Sequence, residues 1–484
     1  MVRTLEAIGA GRACLVIPAK AGISLTFPHA PPAIRSAGLR KVPIPAAAGA
    51  TRGNEAMTGK PRHAVRSVVG GSLGNLVEWY DWYIYSAFSL YFAKSFFPQQ
   101  DATAQLLSAS IVFAIGFLMR PLGGWLLGEL ADRYGRKNAL TWSIALMCAG
   151  SLIITCAPTY ASIGLAAPIL LVIARMAQGL SLGGEFGTAA TYLTEIAPPD
   201  RRGFWSSFQY VTLIAGQLLA LGLLVLLQFF VLTEAQLEEY GWRIAFATGA
   251  VLAVTVFWLR RGIDETPDFV AESATERRKG GVMTLLREHP KQVALVFGLS
   301  IGSNVSFYAF TTYMQKYLVT SAGFAKDQAS LVCSAALIFY IVIQPMLGAL
   351  SDRIGRKPLL YWCWIGGVLA TVPLFTAIGA AHSMAGAFLL ICAAYLIISG
   401  SSATSAVVKA ELFPPNVRAL GVGLPYAVSQ AIFGGTAESV ALGFKAAGIE
   451  AAFFWYVAGC MGVALVTTFF LPETRWATAA RKAR

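Results

Sequence analysis

The phrase Gly128-Glu-Leu-Ala-Asp132-Arg133-Tyr-Gly135-Arg136-Lys137 is written again 220 residues later, as Gly348-Ala-Leu-Ser-Asp352-Arg353-Ile-Gly355-Arg356-Lys357. Each copy closes one long apolar run and opens the next. A charged, glycine-paced turn repeated at equivalent places in an apolar pattern requires a chain built from two repeats. A second doubled phrase follows at a comparable offset: Glu195-Ile-Ala-Pro-Pro-Asp-Arg-Arg202-Gly203 and Glu411-Leu-Phe-Pro-Pro-Asn-Val-Arg418-Ala.

Apolar runs of about 20 residues are long enough to cross the hydrocarbon of a bilayer as helices. Twelve are expected, near 66–93, 104–128, 138–157, 165–193, 203–231, 243–262, 291–319, 328–350, 358–380, 384–410, 419–445 and 450–471. At 56% hydrophobic and 13% charged, with a mean hydropathy of +0.60, 484 residues are too apolar for a soluble protein. The fold class is therefore all-α and membrane-spanning, with twelve transmembrane helices in two six-helix pseudo-symmetric halves. Lys and Arg gather at 133–137, 201–202, 260–291, 353–357, 418 and 475–484, whereas one alternate loop is acidic, with Glu234, Glu238 and Glu239. The positive-inside rule then puts both termini and the central linker in the cytoplasm of a cell whose inner membrane holds the protein.

Residues 57–264 and 291–484 are read as the two halves and 265–290 as the linker. Residues 1–56, with six prolines and no apolar run of signal length, read as a disordered tail or as a leader ahead of a true start at Met57. The net charge of +13 gives no nucleic-acid reading, because eight Lys/Arg lie in the first 60 residues and the rest lie in short loops. Seven unpaired-looking cysteines and four loop or leader histidines suggest no disulfide framework, metal site or histidine relay. No Walker A phrase, catalytic constellation or cofactor motif is found, so neither ATP drive nor an enzyme is expected. The expected partners are a small organic anion, protons and membrane lipids, the protein acting as a monomer.

Ionisable side chains inside spans cost several kcal/mol and mark function. The first span carries Glu78 and Asp81 in Asn75-Leu-Val-Glu78-Trp-Tyr-Asp81-Trp-Tyr-Ile-Tyr85, a spacing that keeps one helix face polar. Arg120 lies in the second span, and Arg175 and Gln178 lie in the fourth. Counted at 1.5 Å per residue, Glu78 is about 18 Å and Arg120 about 12 Å from the same membrane face, so these two can pair, as can Asp81 and Arg175. Such pairs are either static salt bridges or proton-coupling groups, since loss of a cationic partner in a dry site raises a carboxyl's affinity for a proton. Tyr210, Gln217, Asn304, Tyr308, Tyr313, Lys316, Tyr426 and Gln430 join Arg120, Arg175 and Gln178 as candidate contacts for a polar solute. Three cations among them favour an anion. Lys316 also reads as a snorkelling residue, and Tyr83, Tyr313 and Tyr317 as an interfacial belt. The doubled loops supply a candidate latch: Asp132, Arg133, Arg136, Glu195 and Arg202 in one half, with Asp352, Arg353, Arg356, Glu411 and Arg418 in the other. The second half shows no carboxylate–arginine set to match the first, so coupling is expected in the first half and cargo contacts in both.

Taken together these phrases resemble the major facilitator superfamily. More narrowly, Gly74-Asn-Leu-Val-Glu78-Trp-Tyr-Asp81, Gly116-Phe-Leu-Met-Arg120-Pro-Leu-Gly123-Gly124 and Gln178-Gly-Leu-Ser-Leu-Gly-Gly184-Glu185 resemble its metabolite:proton symporters. Ser207-Phe-Gln-Tyr-Val-Thr-Leu, Phe310-Thr-Thr-Tyr-Met-Gln-Lys-Tyr-Leu318 and Val417-Arg-Ala-Leu-Gly-Val-Gly-Leu424 are most similar to members that carry 2-oxoglutarate. The resemblance implies a proton-coupled importer of a dicarboxylate working by alternating access. It also implies that Asp81 and Arg175 form the proton-linked pair and that Gln217 faces substrate. Citrate or shikimate as cargo, or a non-transporting nutrient sensor on the same fold, are the alternatives. Pro425 departs from the expected helix, and the chain stops shortly after the twelfth run, without the coiled-coil tail of osmosensing members.

Overall fold

The computed structural model describes residues 61–98, 101–134, 136–261, 281–414 and 417–473. The leader expected at 1–56 and most of the linker lie outside them. Twelve helical segments follow in order: α1 (Pro61–Phe96), α2 (Ala102–Tyr134), α3 (Arg136–Cys156), α4 (Ala166–Ser181, continued beyond a 3-10 turn by Glu185–Ile196), α5 (Arg202–Leu226) and α6 (Trp242–Arg261). The second half has α7 (Pro290–Thr311, then Met314–Thr320), α8 (Lys326–Ile354), α9 (Lys357–Gly379), α10 (Met384–Ser402, then Ser405–Glu411), α11 (Arg418–Ser429, then Ala437–Ala446) and α12 (Ala451–Phe469). No strand occurs among the described residues, as expected where backbone groups must be satisfied within each segment.

Nine of these segments are, among the described residues, long and apolar enough to cross a membrane. The other three depart for identifiable reasons. α1 carries Glu78, Asp81 and a row of Tyr and Trp, which lower its hydropathy. Within α3 the described side chains begin at Thr141, so its apolar stretch is given for Thr141–Cys156 alone. α11 is interrupted by a π turn at Gln430–Gly434. α7 is also broken where a continuous run was expected, because Thr312 N and Tyr313 N both donate to Tyr308 O.

In the first half α4 packs on α2 and α3, and α3 on α6; in the second, α12 packs on α7 and α9, and α10 on α8 and α9. The halves meet along α5 and α8, and where α2 and α4 reach α11. Large side chains such as Trp125, Leu369 and Trp455 face outward, giving the apolar surface that lipid requires.

Both ends of the interface are shut. At the end bearing the doubled turns, here the loop face, a Cβ on Gly348 would stand 2.6 Å from Gly203 O, so only glycines let α5 and α8 approach this closely. Asp352 then caps α5 across the interface, accepting from Gly203 N at 2.8 Å and Phe204 N at 2.9 Å. Arg356 donates to Asp352 at 2.8 Å and lies 3.7 Å from Glu411, while Arg418 of one half pairs with Glu195 of the other at 2.6 Å. Gly355, at φ +100°, makes the turn between α8 and α9 that an L side chain would strain. Arg202 opens α5, and Arg353 lies exposed in the last turn of α8. The side chains of Asp132, Arg133 and Arg136 lie outside the described residues. At the opposite, far face, Lys326 of α8 pairs with Glu234 at 2.9 Å and Glu238 at 2.7 Å, and Lys94 also pairs with Glu238.

Opposed latches give opposed outcomes. In a cysteine-free protein carrying Ala427→Cys on the central wall, Asp352→Asn should speed alkylation by an impermeant reagent from the loop face. Lys326→Gln should speed it from the far face. Equal rates from each side in both variants would refute the latch assignments.

Candidate functional site

The polar face of α1 runs through the middle of the bundle. Asn75 donates to Thr212 of α5 at 2.8 Å, Tyr85 donates to Ala109 O at 3.0 Å, and Asp81 is 1% exposed. The Asp81 carboxylate accepts from Ser151 of α3 and, at 2.7 Å, from Gln178 Nε2 of α4. Gln178 Oε1 in turn accepts from Arg175 Nη1 at 2.7 Å. The direct Asp81–Arg175 pair expected from depth is thus replaced by a relay in which the amide stands between acid and base. Arg175 is one turn from Gln178 on α4, so the amide occupies the approach to Asp81.

Arg120 likewise departs from its expected partner. Its Nη1 donates to Gln430 Oε1 across the halves at 2.7 Å, while Glu78 is buried on α1. The guanidinium carbon of Arg120 lies 4.2 Å from the Trp82 ring centre and that of Arg175 lies 3.9 Å from it. Two such groups cannot share one face at those distances, so the indole separates them. Phe117 at 4.1 Å completes the setting of Arg120, and Tyr85 at 4.6 Å that of Arg175. Nε and Nη2 of both arginines are buried without a hydrogen-bond partner among the described residues.

Gln430 is the hub on the other side. Its Nε2 donates to Tyr308 and Tyr426, both at 3.1 Å, and Phe186 stacks on Tyr426 with ring centres 3.6 Å apart. Asn75, Trp79, Arg120, Phe186, Gln209, Tyr426 and Gln430 wall a cavity of about 20 Å³ between the halves, room for little more than one water. Towards the far face a second cavity of about 10 Å³ is bounded by Tyr83, Ser86, Gln217 and Thr311. Gln217 Oε1 is buried there without a hydrogen-bond partner among the described residues. Tyr210 packs on Phe307 beside the centre, and Asn304 donates to Ser429 at 3.4 Å.

Three expectations are corrected. Tyr313 turns away from the centre and donates to Glu450 at the start of α12, at 3.2 Å. Tyr83, Tyr313 and Tyr317 are buried at 3% exposure or less, so they form no interfacial belt. Lys316 does not snorkel: it is fully buried and pairs with Glu438 of α11 at 2.8 Å. That pair also gives the second half the buried carboxylate–cation set that the sequence reading missed. Glu438 lies inside the apolar run 419–445, which was the available signal. Lys409, near the end of another run, was missed too. It is 2% exposed, donates to Ser405 at 2.8 Å, and holds its ammonium 4.3 Å from the Tyr426 ring centre.

The family profile described as Major Facilitator Superfamily matches residues 72–437 and, in a second match, 296–481. The alpha-ketoglutarate permease of Escherichia coli K12 is 50% identical over 410 residues, covering 85% of this chain and 94% of that protein. The proline/betaine transporter of Salmonella typhimurium LT2 is 33% identical over 380 residues, covering 76% of this chain and 75% of that one. Among solved structures, a D-xylose-proton symporter superposes with a TM-score of 0.70 at 21% identity, over 85% of this chain and 98% of its own. A partially occluded, inward-open form of the xylose transporter XylE from E. coli superposes at 0.67 with 20% identity, over 84% of this chain and 97% of its own. Multi-pass helices, two halves around a polar centre and these matches together make the chain a member of the major facilitator superfamily.

Proposed function

We propose that this protein imports 2-oxoglutarate with protons by alternating access, as a monomer in a bacterial inner membrane with both termini in the cytoplasm. The observation that carries the reading is Arg120: a buried guanidinium at the central cavity, with two nitrogens that have no hydrogen-bond partner among the described residues and the third on a neutral amide. A planar pair of free N–H donors in a dry site is suited to a carboxylate. The 50% identity to a permease named for alpha-ketoglutarate supports the choice of cargo. Proline and betaine, named in the 33% relative, carry a cationic centre that a cation-rich pocket disfavours.

Coupling belongs in this reading to the Asp81 relay. When Gln178 and Ser151 bond the carboxylate, its charge is stabilised. A shift of α3 and α4 against α1 within the first half, as the cycle proceeds, weakens those bonds and favours the protonated acid. A dianion entering with one proton carries net negative charge inward, at about 2.3 kcal/mol per 100 mV, so at least two protons are needed to remove the penalty.

In proteoliposomes, 2-oxoglutarate should accumulate under an imposed inward proton gradient and stop accumulating when a protonophore collapses it. Unlabelled 2-oxoglutarate should compete, whereas proline and betaine should not. Failure of uptake, or uptake indifferent to the gradient, would overturn the assignment. Arg120→Lys keeps the charge and loses the fork, and should raise KM about 10-fold or more, the loss of one charge-assisted hydrogen bond. Asp81→Asn should still exchange internal for external substrate yet fail to concentrate it; full accumulation would remove Asp81 from coupling.

A further inference from the structure

Glu438 belongs to none of the roles above, although its pair with Lys316 lies where the two halves meet, against Ser86. Lys316 donates at 2.8 Å to Glu438 Oε1, at 2.7 Å to Ser86 Oγ and at 3.1 Å to Ser86 O, and Ser86 Oγ donates at 3.2 Å to Glu438 Oε2. An ammonium has three donors, and all three are used. The acid and the lysine are in the second half, but Ser86 is on α1 in the first. Ser86 also bounds the far cavity, together with Gln315 next to Lys316. Parting of the halves at the far face therefore withdraws Ser86 and leaves Lys316 with two vacant donors facing the opened path.

We propose that Glu438 is a second proton carrier, and that it is loaded by substrate: a carboxylate of the incoming dianion takes the two donors that Ser86 vacates on Lys316, and Glu438 then binds a proton. The inference rests on the proposed dicarboxylate symport. Its charge balance is simple. One ammonium and two carboxylates in a water-poor site carry a net negative charge, and two adjacent carboxylates cannot both stay ionised there at low cost. One proton from the far-side solution converts Glu438 to the neutral acid, while the substrate carboxylate keeps Lys316. On closure of the far face Ser86 returns to Lys316 and displaces the substrate carboxylate towards the centre; once the loop face opens, Glu438 gives its proton to the loop-side solution and the triad reforms.

The other titratable groups near Glu438 are phenols, Tyr85 from α1 and Tyr313 from α7. Between Asp101 and Arg120, α2 has no ionisable residue. Glu450 of the α11–α12 turn is held by Lys445 at 3.4 Å, beyond Tyr313. No competing cation from these elements would hold Glu438 ionised once Lys316 is taken.

The test is calorimetric titration of purified protein with 2-oxoglutarate, in buffers of different ionisation enthalpy, which counts protons taken up on binding. The wild type should bind more weakly as pH rises, and Glu438→Gln should bind with one proton fewer and a pH dependence shallower by up to tenfold per pH unit. Ser86→Ala, which keeps both charges, should leave the count unchanged. An unaltered proton count in Glu438→Gln overturns the proposal. Should that variant fail to fold, infrared difference spectra of a protein carrying both Glu78→Gln and Asp81→Asn decide: a protonated-carboxyl band on adding 2-oxoglutarate supports Glu438, and no band refutes it. Wild-type protein that binds no 2-oxoglutarate refutes the cargo assignment instead, and the inference with it.

Discussion

The indole of Trp82, with a guanidinium against each face, organises the middle of the molecule. Removing a charge from water costs several kcal/mol, and a cation–π contact returns only about 2 kcal/mol even when desolvated. Amides supply the remainder, Gln430 for Arg120 and Gln178 for Arg175. Neutral partners stabilise the arginines without cancelling their charge. Asp81 is the acid bonded into the relay and Glu78 a second buried acid on α1, while Nε and Nη2 of both arginines have no hydrogen-bond partner among the described residues. The other buried acid–base pair, Lys316 with Glu438, neutralises itself in the closed state.

Closure at both ends follows from side chains of different strength. Asp352 is bound by two backbone N–H groups and by Arg356, itself 2% exposed, so the loop-face latch is largely dry. The far-face latch at Lys326 is about a quarter exposed and shared with two glutamates. Solvated pairs are worth about 0–1 kcal/mol each, charge-assisted bonds in a dry setting about 1.5–3. A difference of a few kcal/mol is enough to bias which side opens, and it can be reversed by what binds between them.

Much of this was legible in the sequence, for reasons specific to each element. Repetition marked the α8–α9 turn, because Asp352, Gly355 and Arg356 each meet a geometric demand that the doubled phrase preserves. Spacing along α1 put Asp81 and Trp82 on the inward face, since a helix fixes azimuth within itself. Pairings between helices were less accessible. Counting residues gives depth along the membrane normal but not rotation about each axis, so Arg120 and Glu78 stand at compatible depths and yet Arg120 reaches Gln430. Gln178 was read as a substrate contact rather than as the bridge between Asp81 and Arg175, because a relay needs three side chains whose directions no single helix determines. Lys316 and Glu438 were separated by 122 residues and by the break in α7 at Thr312–Tyr313, which turns Lys316 inward.

In the proposed cycle the two halves therefore divide the labour differently from a scheme in which one half couples and the other only binds. A buried carboxylate with contacts that the proposed alternating access would move is present in each half, Asp81 in the first, where Glu78 is buried too, and Glu438 in the second. For Asp81 these are Ser151 and Gln178, neutral donors from α3 and α4 of its own half. For Glu438 the movable contact is Ser86, from the opposite half. A carboxylate held by neutral donors answers to local helix shifts, whereas one whose lysine is shared with the opposing half answers to separation of the halves and to any anion that arrives there. Two acids governed by different motions allow a dianion's charge to be matched in two steps, with no single site required to hold two protons in a medium of low dielectric.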